Sequence, residues 1–234
     1  MAPRFDDLSS SYHDLLRDPI RDRFGGGDSA FFHLRKSTLI RDYFRAAGVD
    51  TRRLAYLDVG CGKGELLECL RPHFARVAGC DVSAEMMQGI RGVETRVQKD
   101  PVSIPYSEDR FDFITAVCVY HHIAPSLRLA LSREIARVLR PGGVFAIVEH
   151  NPFNPVTRLI VRRTPIDSDA ILLKPSEVGR LMAGCGLFAP PPKYFLYFPR
   201  RLFRLTGNIE SLLSVVPLGG QYVVFATKRP GLRE

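Results

Sequence analysis

The chain has 234 residues, 45% of them hydrophobic, which suits one α/β domain with a sizeable core and excludes a disordered or fibrous chain. Lys and Arg total 33 against 25 Asp and Glu, and the resulting net charge of +8 is spread widely without a long basic block. That reads as a soluble surface rather than a dedicated anionic partner.

No apolar run approaches the roughly 18 residues of a membrane span. The opening Met-Ala-Pro-Arg-Phe-Asp-Asp lacks the apolar core of a signal peptide, so the expected compartment is the cytoplasm. Five cysteines, at 61, 69, 80, 118 and 185, show no Cys-x-x-Cys pair, which argues against a disulfide framework or a zinc site. No metal is expected from the sequence.

In chain order, residues 1–30 carry few core signals. A short helix near Ser10–Arg17 is followed by a turn at Gly25-Gly26-Gly27-Asp28. Apolar residues at 31, 32, 34, 39, 40, 43, 44 and 47 fit one face of a helix from Phe31 to Ala47, stopped at Gly48. Residues 1–50 are therefore read as an N-terminal helical cap. Strands follow at Leu54–Val59, Arg76–Val82, Glu94–Gln98, Phe111–Val119 and Val144–Glu149, with helical segments between them. The helix over Ala124–Leu139 is the clearest of these. This alternation predicts a parallel sheet with right-handed crossovers.

Residues 150–174, beginning His150-Asn151-Pro152-Phe153-Asn154-Pro155, break the rhythm and read as a lid or substrate insert. A helix around Val178–Cys185, a strand at Lys193–Phe198, a mixed helical stretch over Arg200–Val216 and a strand at Tyr222–Thr227 complete a single domain of seven strands.

The most informative stretch is Leu54–Leu67, where an apolar run ends at Asp58 and glycines follow at 60, 62 and 64. A strand, a tight turn and a helix N-terminus are a nucleotide-type ligand site. The dinucleotide fingerprint would need a glycine at position 65, which is Glu65. The phosphate-loop Gly-Lys-Ser/Thr is also absent. Asp58 beside the turn suits a ligand bearing an ammonium better than a pyrophosphate.

Asp58-Val59-Gly60-Cys61-Gly62-Lys63-Gly64 resembles the first motif of class I S-adenosylmethionine-dependent methyltransferases, small-molecule type. The resemblance runs through residues 54–149: Asp81 ends the second strand, and Asp100 precedes Ile104-Pro105-Tyr106. Phe111-Asp112-Phe113-Ile114 opens the fourth strand, and Leu139-Arg140-Pro141-Gly142-Gly143 precedes the fifth. It implies a Rossmann-like, mostly parallel sheet with helices on both faces and the last strand antiparallel.

The same resemblance implies S-adenosyl-L-methionine as cofactor. Gly60, Cys61 and Gly62 would lie along its methionine part, Asp58 at its ammonium and Asp81 at both ribose hydroxyls. Asp100 would meet the adenine amino group and Met86 an adenine face, with Val82, Pro101, Val102 and Val117 in further contact. Pro101 departs from the family pattern, because it has no N–H to offer the adenine ring.

Two polar clusters end the fourth and fifth strands, where a methyl acceptor belongs. His121, His122 and His150 are candidate proton acceptors, and Tyr120, Glu149, His150 and Asn151 are candidate substrate contacts. The expected activity is methyl transfer to a small molecule, with oxygen the default acceptor. An RNA methyltransferase and a non-catalytic cofactor-binding partner subunit are the alternatives.

Overall fold

The computed structural model describes residues 5–229. Eight strands form one sheet: β1 (Ala55–Val59), β2 (Arg76–Asp81), β3 (Glu94–Val97), β4 (Phe111–Val117), β5 (Leu139–His150), β6 (Leu187–Phe188), β7 (Lys193–Phe195) and β8 (Gln221–Lys228). Their order is β3-β2-β1-β4-β5-β8-β6, with β7 also on β8. Neighbours among β1 to β5 run parallel. β8 runs antiparallel to β5, as the last strand was expected to.

The eighth strand is the two-residue β6 on the edge of β8. β7 stops at Phe195 rather than Phe198, because Leu196 takes a left-handed backbone (φ 64°) that extended pairing does not accept. β5 begins at Leu139, before the Pro-Gly-Gly turn, through a register shift opposite Phe111 and Phe113.

The helices are α1 (Phe5–Leu8), α2 (Tyr12–Leu15), α3 (Pro19–Gly25), α4 (Ala30–Ala46), α5 (Glu65–Leu70), α6 (Ala84–Met87), α7 (Arg128–Val138), α8 (Pro155–Arg163), α9 (Pro175–Gly184) and α10 (Arg200–Leu213). α3 occupies a stretch expected to be irregular. Its start is chemically explicit: Asp18 accepts from the N–H groups of Ile20 and Arg21, and Pro19 supplies a preset first φ. No helix among the described residues is long and apolar enough to cross a membrane.

Both sheet faces are covered. On one, Phe44 of α4 meets Phe113 edge-on at 5.0 Å, and Phe113 stacks on Phe74 at 5.7 Å. On the other, Leu131 and Ile135 of α7 and Met182 of α9 are fully buried.

The segment after β5 is ordered by a buried cation. Arg128, 1% exposed, donates to the carbonyls of Tyr120, Ile123 and Ile171 and to Glu177 Oε1 at 2.6 Å. Ile171 N–H in turn donates to the His121 carbonyl at 2.8 Å. One guanidinium therefore ties the insert to the end of β4.

Without Arg128 the Tyr120, Ile123 and Ile171 carbonyls lose their donor. Arg128→Met is expected to lower the unfolding free energy by about 3–5 kcal/mol in urea titrations. Breaking the exposed Arg52–Asp50 pair with Arg52→Ala is expected to leave the urea midpoint essentially unchanged in the same assay.

Candidate active site

β1 lies where the sheet order reverses, with β2 on one side and β4 on the other. A crevice opens there beyond the carboxyl ends of the strands. The chain leaves β1 through Gly60 (φ 70°) and Gly62 (φ 52°). A Cβ on Gly60 would stand 2.5 Å from Val119 Cγ2, so the close passage of the turn past β4 requires glycine. Gly62 N–H donates to Asp81 Oδ2 at 2.8 Å, and Ser83 N–H donates to Oδ1 at 2.9 Å. Each carboxylate oxygen keeps acceptor capacity beyond these bonds. Burial pushes the Asp81 carboxyl up, while the N–H groups of Ser83 and Gly62 pull it back. Gly60, Gly62, Asp81, Val82, Met86, Pro101 and Val117 all line a cavity of about 460 Å³.

Other expected cofactor residues stand behind or beside that wall. The Asp58 carboxylate is 3% exposed and accepts from the Thr115 hydroxyl at 2.5 Å, which in turn takes the Tyr56 hydroxyl at 2.7 Å. It orders β1 against β4 and does not line the cavity. Cys61 is buried in the core beside α5. Asp100 turns back on its own loop, accepting from Val102 N–H, Ser103 N–H and the Ser103 hydroxyl, and Val102 packs against the core. A short polar side chain in a Pro-containing loop bonds nearby backbone first.

Lys36 is a wall residue absent from the sequence expectation. It is 5% exposed, lines the cavity, and feels the charges of Asp58 and Glu65, while burial holds its ammonium below its ordinary pKa. Its signal was present as a lysine one turn from Phe32 and Ile40 on the apolar stripe of α4. A lysine on the cavity wall suits the carboxylate of an amino-acid group. With the Asp81 acceptors and the glycine turn, this donor set fits S-adenosylmethionine.

The opposite wall holds the histidines. His121, in the turn after β4, is 1% exposed, and its Nδ1 lies 2.6 Å from Glu149 Oε2. Glu149 Oε1 accepts from the N–H groups of Val119 and Tyr120. Asp167 Oδ1, from the short turn Pro165–Asp167, lies 3.4 Å from both His121 Nε2 and His122 Nε2. Burial opposes charge on His121, but Glu149 and Asp167 outweigh it and hold its pKa well above the ordinary value. His150 is the reverse: burial, then the His121 charge, pulls it down to about 4. The cavity thus meets a charged imidazole and a neutral one side by side, their ring centres 5.2 Å apart.

His121, His122 and His150 all line the cavity, and Asp167 joins them from 46 residues after His121, a proximity no local pattern carries. Tyr120, Glu149 and Asn151 do not line the cavity. The Tyr120 hydroxyl bonds Ser132 in the core, and Glu149 supports His121 from behind. Asn151 Nδ2 donates to the carbonyls of Pro217 and Gly219, pinning the start of the insert. The cap closes the remaining side. Phe5 sits edge-on to His122 at 5.4 Å, the Ser83 hydroxyl donates to Asp6, and Tyr12, Leu16 and Phe24 line the cavity.

Known proteins of similar sequence and fold are methyltransferases. Residues 57–147 match the family model described as a methyltransferase domain. The dTDP-4-amino-2,3,4,6-tetradeoxy-D-glucose N,N-dimethyltransferase of Saccharopolyspora spinosa is 39% identical over 102 residues, 40% of this chain and 39% of that protein. The tRNA (carboxymethyluridine(34)-5-O)-methyltransferase of Arabidopsis thaliana is 32% identical over 115 residues, 48% of this chain and 28% of that protein. The matched stretch is under half the length of these curated relatives. A solved SAM-dependent methyltransferase of Thermotoga maritima, described as a possible histamine N-methyltransferase, superposes with a TM-score of 0.68 at 16% identity. That superposition covers 98% of this chain and 100% of the other, and it shows the same fold.

The buried Asp58 carries a pH signature. Burial raises its carboxyl from 3.8 to about 7, against the Thr115 hydrogen bond. A folded pKa above the unfolded one means that its contribution is fully present at low pH and is lost as pH rises toward 7. Relative to Asp58→Asn, the native chain is expected to lose up to roughly 4 kcal/mol of unfolding free energy between about pH 4 and pH 7. Urea titrations of both proteins across that range check this.

Proposed function

We propose that this chain, whose residues 57–147 are a class I S-adenosylmethionine-dependent methyltransferase domain, transfers a methyl group to an oxygen nucleophile on a small, largely apolar acceptor. The observation that carries this reading is the single cavity joining the Gly60–Asp81 crevice to the His121–His150–Asp167 wall. The cofactor implied by family and fold is S-adenosyl-L-methionine, which supplies an electrophilic methyl on a sulfonium.

Asp81 would take the ribose hydroxyls through its free acceptor sites, Lys36 would take the methionine carboxylate, and Met86 and Val82 would lie along the base. The acceptor rests on Phe24, Phe32, Ile160 and Ile166, with its oxygen at the histidine wall. The cofactor would supply its methyl to that oxygen, a carbon–oxygen bond replacing the carbon–sulfur bond whose electron pair stays with sulfur, and the hydroxyl proton would pass to the polar wall. The cap and insert exclude water, so alignment and desolvation supply much of the rate.

A small acceptor is favoured because α1, α2 and α8 close over the cavity, whereas a base within RNA needs an open approach. The tRNA-modifying relative keeps RNA as the second reading.

Calorimetry with S-adenosylmethionine tests the first half. Asp81→Asn loses charge-assisted hydrogen bonds and is expected to weaken binding about 10–100-fold; unchanged affinity would refute the ribose role. Labelled-methyl transfer to a panel of small hydroxyl compounds and, separately, to tRNA tests the second half. His150→Ala is expected to lower kcat by about 100-fold or more with cofactor affinity held within about twofold. Methylation of tRNA alone would replace the small-acceptor reading.

A further inference from the structure

The histidine wall has the composition of a metal site. One nitrogen each of His121 and His150 and one oxygen of Asp167 lie within 4.8 Å of one another, a span one ion can bridge. His121 Nε2 is buried and makes no well-directed hydrogen bond, with Asp167 Oδ1 standing 3.4 Å away. Its ring is fixed from behind, because Nδ1 faces Glu149 Oε2 at 2.6 Å. Glu149 is itself anchored by two backbone N–H groups. A carboxylate holding the far nitrogen of an imidazole is the outer support that metal-bound histidines characteristically have. All three donor residues border the cavity, so an ion there would keep positions open toward it.

We infer that His121 Nε2, His150 and Asp167 bind one divalent transition-metal ion, of the zinc or iron(II) kind, whose open positions face the acceptor end of the cavity. Two imidazoles and one carboxylate suit these ions better than magnesium or calcium, which prefer all-oxygen shells. On binding, the Nε2–H bond of His121 breaks, its proton leaves to solvent, and the lone pair goes to the ion. Glu149 keeps the Nδ1 hydrogen bond throughout. His122, whose Nε2 is equally close to Asp167 Oδ1, steadies that carboxylate. The ion's role rests on the methyl-transfer reading: it would hold the acceptor oxygen and ease loss of its proton. The binding itself does not depend on that reading. The cysteine spacing gave no hint of such a site, because its ligands come from two strand ends and a loop.

The test uses the full chain, stripped with a chelator and titrated with Co²⁺ and Zn²⁺. Visible absorption of the Co²⁺ form and elemental analysis of the Zn²⁺ form are read together. One ion per chain is expected. Asp167→Asn and His150→Ala are each expected to weaken Co²⁺ binding at least about tenfold, and Glu149→Gln about 10–100-fold. His73→Ala, on a histidine outside the cavity lining, is expected to leave binding unchanged. Circular dichroism confirms that each variant is folded.

A native chain that binds no Co²⁺ or Zn²⁺, or whose binding survives both Asp167→Asn and His150→Ala, overturns the inference. Calorimetry with S-adenosylmethionine on the same stripped protein separates the two ideas. Cofactor binding without metal binding removes the ion alone, and metal binding without cofactor binding removes the methyltransferase reading alone.

Discussion

A carboxylate with no solvent contact has to find donors or lose its charge. Glu149 is 0% exposed at the end of β5, and its two oxygens divide the work. One receives the N–H groups that β4 leaves unpaired at Val119 and Tyr120, and the other receives His121. Burial alone would raise its carboxyl, but the charge and hydrogen bond of His121 hold it below the ordinary value. The position of His121 is therefore set by the electrostatic need of its neighbour. Asp167, His122 and His150 are arranged around that fixed ring.

Buried charges recur at this end of the molecule with different compensations. Asp58 has a hydroxyl partner and a distant lysine, and burial leaves its carboxyl near 7. Asp167 has two histidines, and despite burial its carboxyl is held well below the ordinary range. The difference is one of donors: a hydroxyl offsets part of a desolvation penalty, whereas two histidine rings donating to Asp167 more than offset it. Arg128 solves the same problem with three carbonyls and Glu177, and in doing so fixes the insert that carries Asp167. The core side of α7 thereby positions a cavity residue it never touches.

Much of the fold was legible because its signals are local. The apolar runs of β1 and β4, the glycine turn at 60–64 and the apolar stripe of α4 are each specified by neighbouring residues. The Gly60–Asp81 side of the cavity was legible for the same reason, since Gly60, Gly62, Asp81, Val82 and Met86 lie on strand ends and turns whose places follow from strand order. What misled the reading were polar residues at strand ends. Tyr120, Glu149 and Asn151 stand next to cavity residues in sequence, but successive side chains leave a strand end in opposite directions. Here those three face core, ring and loop backbone.

By itself the sequence determined the alternation of strands and helices, the glycine turn after β1, and the acidic residue that ends β2. These depend on hydrophobic periodicity and on backbone conformations open to glycine, which neighbouring residues specify. Only the tertiary structure decided which of the strand-end side chains share a cavity. It placed Lys36 and Asp167 on the wall and moved Asp58 and Asp100 off it. Those outcomes depend on how charges far apart in the chain are desolvated together, and that becomes defined only when the insert and cap have packed against the sheet.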